Sequence, residues 1–141
     1  MLSKLDDYMR FNESALNLRE KRQTVLASNI ANADTPNYKA RDIDFSSAMK
    51  AAVEKASPTA AASMKTTAAR HFPNPPSDGG LLADGTPLLY RGAVQGAVDG
   101  NTVDMDVERN QFADNAVRYE ASLTMINSQI KGMMNALQSG N

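Results

Sequence analysis

Hydrophobic positions of this 141-residue chain gather at its two ends. From Leu2 to Ala33 two stripes advance in steps of three and four. One reads Leu2, Leu5, Met9, Asn12, Leu16, Arg19, Gln23, Leu26 and Ile30, and the other Tyr8, Phe11, Ala15, Leu18, Arg22, Val25 and Asn29. Steps of this size place the stripes side by side on one helix. A wide face interrupted by Asn12, Arg19 and Gln23 suits a helix that meets several partners. The cleaner pattern is C-terminal. Phe112, Ala116, Tyr119, Leu123, Ile126, Ile130, Met133 and Leu137 alternate steps of four and three, a heptad seam with no polar interruption. Asp104 or Asp106 is placed to cap this helix, and Glu108 lies in its first turn, near the positive end. A helix from Asp106 to Gln138 would be about 50 Å long.

The sequence between is irregular. Pro36 biases Thr35 away from helix, and Asn37 suits a left-handed turn residue. Asp42 to Phe45 is a candidate extended stretch and Ser46 to Lys55 a candidate short helix. Ala-, Ser- and Thr-rich sequence follows to Arg70, then a breaker cluster from His71 to Gly80. Leu88–Tyr90 and Ala93–Val94 are weak strand candidates. The tandem Gly92–Gln95 and Gly96–Asp99 fits a loop or hairpin.

The expected fold is mainly α. Residues 1–33 form an N-terminal helix, 34–101 a loop-rich insert, and 102–141 a C-terminal heptad helix. The two long helices pair antiparallel as a coiled coil, with an irregular or short-β insert between them. Two helices alone rarely hide both apolar faces, so leftover surface predicts self-association or assembly with other helices.

Composition narrows the function classes. An aromatic content of 6%, no Trp and eight Met fit helix seams better than a dense globular centre. A net charge of −1 with no basic block argues against a nucleic-acid partner, and nothing in the charge calls for direct lipid binding. The absence of Cys removes thiol catalysis, cysteine-based zinc sites and disulfides together. Met1 to Asp7 is acidic and amphipathic, so no cleaved signal peptide is expected, and no apolar stretch is long enough to span a membrane.

No catalytic residue, cofactor or metal site is expected. Asp99 to Asp106 superficially resembles a calcium loop, but Val103 and Asp104 stand where a ligand and a glycine are required, and a capped turn fits better. His71 is the only His and sits among prolines, with no Gly-x-Ser-x-Gly elbow in the chain. Asp42 and Asp44 flank Ile43 and are in principle paired carboxylates, though solvation, or pairing with Lys39 and Arg41 of neighbours, fits an extended segment better. Phosphate-loop, dinucleotide and zinc-helix motifs are absent.

The run Asn29-Ile30-Ala31-Asn32-Ala33-Asp34-Thr35-Pro36-Asn37-Tyr38 resembles the signature of flagellar rod, hook and other axial proteins. Its physics is readable. Asn29 and Asn32 bring amides to a helix end, Pro36 stops the helix, and Tyr38 anchors the exit. Arg41–Phe45, Asp99–Glu108 and Tyr119–Leu123 narrow the resemblance to proximal rod proteins, among which FlgC is an alternative identity. The resemblance implies terminal helices bundled with those of other copies and of FlgC and FlgF, and neighbours in the adaptor FliE and the MS ring. It further implies transit through the flagellar type III export apparatus to a periplasmic rod that transmits torque. Residues expected to serve assembly are Leu5, Met9, Leu16, Leu26, Asn29, Ile30, Asn32, Pro36 and Tyr38, with Phe112, Ala116, Tyr119, Leu123, Ile126, Ile130, Met133 and Leu137. A helical export chaperone or regulator shares the amphipathic helices but leaves the signature unexplained. A small hydrolase built on His71 or the Asp pair has the least support.

Overall fold

A computed structural model describes residues 2–56, 79–82, 86–92 and 97–138, with backbone alone for 2–8 and 54–56. Three helices carry these residues: α1 (Leu2–Ala31), α2 (Phe45–Ala56) and α3 (Met105–Gln138). Two-residue strands β1 (Arg41–Asp42) and β2 (Leu89–Tyr90) pair antiparallel, with Arg41 opposite Tyr90 and Asp42 opposite Leu89. No described helix is long and apolar enough to cross a membrane. His71 and the Ala93–Val94 strand candidate lie outside the described residues.

The long helices run antiparallel, as their cross-contacts show. Asn29 meets Glu108 at 3.2 Å, Arg22 meets Gln111 at 2.9 Å, and Asn115 meets the Arg19 carbonyl at 2.9 Å. Numbers rise along α3 as they fall along α1. The mainly α antiparallel pair with a short-β insert is therefore present.

The apolar core lies elsewhere. Leu18 and Val25 of the second α1 stripe pack with Ile43, with Ala48 and Met49 of α2, and with Leu88. Leu26 and Ala40 are fully buried as well. Thus one flank of α1 packs on the insert and the other on α3, which is why its apolar face is wide.

The short helix begins one residue earlier than the sequence suggested, and the extended stretch is confined to Arg41–Asp42. The reason is Asp44. Its Oδ1 accepts hydrogen bonds from the Ser46 and Ser47 amides at 3.1 and 3.3 Å, which caps α2. β2 is led in by the 86–88 segment, which runs against residues 79–82. Gly79 is required there, since a Cβ would stand 2.6 Å from the Leu88 carbonyl oxygen.

Candidate assembly interface

Two sequence motifs far apart in the chain clasp each other. After α1 ends, Asn37 takes a left-handed φ of 61°. Its amide donates to the Asp99 carbonyl at 2.9 Å, and the Thr102 amide donates to the Tyr38 carbonyl at 3.1 Å. The Thr102 hydroxyl accepts from the Ala40 amide, and Lys39 Nζ reaches the Gly100 carbonyl at 2.6 Å. Gly100 has a φ of +74°, and a Cβ there would lie 2.7 Å from Asn37 Oδ1. Buried Asn101 donates its amide to the carbonyls of Asn32, Ala33 and Thr35 at 3.0, 2.7 and 3.0 Å. These carbonyls follow the last turn of α1, where those of Asn32 and Thr35 also take turn bonds from the Thr35 and Tyr38 amides, and Asn101 ties that end together from 66 to 69 residues away.

Beside the clasp, a charged network joins four elements. Asp42 accepts two bonds from Arg22, both at 2.9 Å, and one from Arg91 at 2.5 Å. Arg91 also pairs with Glu108 at 2.6 Å, and Glu108, only 1% exposed, accepts from the Asn29 amide. Asn29 holds the exiting strand as well, donating to the Arg41 carbonyl at 2.7 Å and accepting from the Arg41 amide at 3.1 Å. Burial pushes the Asp42 carboxyl upward, yet the bonds and charge of Arg22, with Arg91 and the Ile43 amide, hold it below the ordinary carboxylate range. The same bond raises Arg22. Asp44 is lowered to about 2 by the Ser47 and Ser46 hydroxyls and amides that it caps. The two aspartates therefore do separate structural work instead of forming a carboxylate pair, and Asp42 is matched within its own chain by Arg22 and Arg91.

Asp104 supplies the cap of α3, its Oδ1 accepting from the Asp106 and Val107 amides at 3.0 and 3.2 Å. Asp99 Oδ1 accepts from the Asn101 amide at 3.0 Å. The stretch that resembled a calcium loop is a capped turn.

Along α3 the residues buried against α1 are polar. Glu108 and Asn115 are its two buried residues, and half-buried Ser122 and Gln129 continue their seven-residue spacing. At 100° per residue the apolar seam is centred about 60° around the helix from this row. Phe112, Ala116, Tyr119, Leu123, Ile126 and Met133 are half-buried, while Ile130 is 37% and Leu137 79% exposed. Met125 and Met134 are exposed too.

The remaining expected assembly residues divide by burial. Leu26 and Asn29 are enclosed within the chain, so any contribution to assembly runs through the shape they impose. Met9, Leu16, Ile30, Asn32 and Tyr38 are half-buried and Pro36 is exposed, whereas the Leu5 side chain is not described. Asn32 bonds the Ser28 carbonyl at 2.8 Å, and the Tyr38 hydroxyl lies 3.3 Å from both Ser28 Oγ and Asn29 Oδ1. Sequence reasoning missed Arg22, Arg91, Asn101 and Asn115 as organising residues. The seven-residue step from Glu108 to Asn115 was the available signal for the last.

Residues 9–39, which span most of α1 and the clasp loop, match the family described as flagella basal body rod protein. Over the whole of both chains the sequence is 51% identical to the flagellar basal body rod protein FlgB of Escherichia coli K12 and 49% identical to that of Salmonella typhimurium LT2. It is 46% identical to FlgB of Cereibacter sphaeroides over 94% of each chain. The chain belongs to the FlgB family of flagellar basal-body rod proteins.

Proposed function

We propose that the chain is a structural subunit of the proximal rod of the flagellar basal body, assembled by bundling its terminal helices with those of neighbouring subunits. It transmits torque across the periplasm and performs no catalysis. The observation that carries this reading is the rotation of α3, which leaves Leu123, Ile126 and Ile130 beside the α1 contact instead of at its centre. A half-exposed apolar seam on so long a helix calls for further helices to cover it. Other copies, FlgC and FlgF are the expected rod neighbours, with FliE and the MS ring at the base. Delivery follows the flagellar type III export route without a cleaved signal peptide. Nucleic acid and lipid have no part in it.

Leu123→Asp and Ile126→Asp test the reading, because a charge buried without a partner costs several kcal/mol, on the order of 3 or more per subunit. Each variant, as the sole copy in a cell, is expected to abolish swimming and to be missing from detergent-extracted basal bodies. Variants that keep the parent's circular dichroism yet still build motile flagella would sink the proposal.

A further inference from the structure

Three Asp-Gly pairs stand in the chain, at 78–79, 84–85 and 99–100. The last lies in the clasp, and the fold demands its glycine. Gly100 has a φ of +74°, and a Cβ there would lie 2.7 Å from Asn37 Oδ1, so no larger residue fits. The same glycine makes its neighbour reactive. A residue without a side chain leaves its amide nitrogen unshielded and its backbone free to turn, and Asp99 beside it is exposed to water. In the clasp each reacting group is held by another partner. The Gly100 amide donates to the Ala97 carbonyl at 3.0 Å, Asp99 Oδ1 accepts from the Asn101 amide at 3.0 Å, and the Asp99 carbonyl accepts from the Asn37 amide at 2.9 Å. For the Asp99 carboxyl to reach the Gly100 nitrogen, it must leave Asn101 while that nitrogen leaves Ala97, a state reached only through local opening.

We propose that Asp99 is a modification site, converting to isoaspartate when the clasp opens and held as aspartate while the clasp is closed. In the open chain the Gly100 nitrogen attacks the protonated Asp99 carboxyl at Cγ. The N–Cγ bond forms, and one carboxyl oxygen leaves as water with the hydroxyl and amide protons, which gives a five-membered succinimide. Water then adds back to the ring. Opening at Cγ restores aspartate, whereas opening at the main-chain carbonyl carbon of Asp99 routes the backbone through Cβ and Cγ. No atom is gained or lost overall, and nothing is oxidised. The product cannot remake the clasp. The carbonyl that receives the Asn37 amide becomes a free carboxylate, and the carboxyl that receives the Asn101 amide becomes main chain. The site depends on the clasp alone and not on the rod-subunit reading.

The purified chain is incubated at one pH in native buffer and in urea, then cut with trypsin. Residues 92–109 leave as one peptide, released after Arg91 and Arg109, which carries this Asp-Gly pair and neither of the others. Chromatography separates its isoaspartyl form, and methyl transfer by an isoaspartyl methyltransferase counts it. Isoaspartate in that peptide is expected to accumulate at least about tenfold more slowly in native buffer than in urea, the ratio set by the cost of local opening. Asn101→Ala, which loosens the clasp while keeping Asp99 and Gly100, is expected to raise the native rate several-fold and to leave the urea rate unchanged. Equal rates for the parent in the two solvents overturn the proposal, as does a urea-treated peptide that stays wholly aspartyl. An Asn101→Ala chain with faster amide exchange over residues 29–38 but the parent's isoaspartate rate overturns it too. The parent chain alone decides the first comparison, so an Asn101→Ala chain that fails to fold leaves the test intact.

Discussion

Arg22 and Asn29 occupy positions in an otherwise apolar stripe of α1, and both are spent on neighbours distant in sequence. Arg22 forks onto Asp42, and Asn29 divides its amide between the Arg41 backbone and Glu108. A buried carboxylate such as Glu108 is tolerated only because Arg91 and Asn29 satisfy it. Glu108→Ala leaves both without that partner. Because Arg91 keeps Asp42 and is partly open to water, the expected loss is about 2–3 kcal/mol, below the full cost of breaking an enclosed pair. Urea unfolding of the purified chain checks this, and an unmoved midpoint would show that water replaces the carboxylate without penalty.

Among the elements, the exit from α1 is the one most dependent on a remote segment. Pro36 and left-handed Asn37 turn the chain, but the carbonyls released at the turn are gathered by Asn101. Asn101→Ala should therefore unsettle the clasp instead of a single bond. Several neutral acceptors lose a buried donor, which corresponds to about 1–3 kcal/mol. Chemical denaturation gives the magnitude, and accelerated amide exchange over residues 29–38 gives the location. A variant with the parent's stability and exchange would show that the clasp holds without its cap. At the other helix starts the chemistry is local, with Asp44 and Asp104 each capping within three residues.

Across the whole molecule, stability is graded. The core and the charged network sit where α1's C-terminal half, α2, the two strands and the start of α3 converge. Beyond Asn115 the described side chains of α3 are half-buried or exposed. Lone helices draw most of their stability from packing, so the dilute monomer is expected to open from that end. Hydrogen exchange should be slow around residues 18–30 and 106–115 and fast over 125–138. Strong protection of residues 125–138 in the monomer would contradict the view that neighbours complete this part of the fold.

Both long helices, their approximate limits and the turn after α1 were determined by the sequence itself, because each depends on residues within a turn or two. The 3.6-residue period, Pro36, Asn37, Asp104 and the short helix after Asp44 all act locally. The clasp and the charged network were not legible, since they join residues 12 to 79 positions apart whose side chains carry no pairing pattern. Nor could periodicity decide which way α3 faces. It revealed an apolar seam, and the seam alone suggested the centre of the helix pair. Only tertiary structure decided that Glu108 and Asn115 hold that centre. Glu108 finds partners in Arg91 and Asn29, the Asn115 nitrogen in Arg19 and Gln23, and fixing them there leaves the apolar seam beside the α1 contact instead of at its centre.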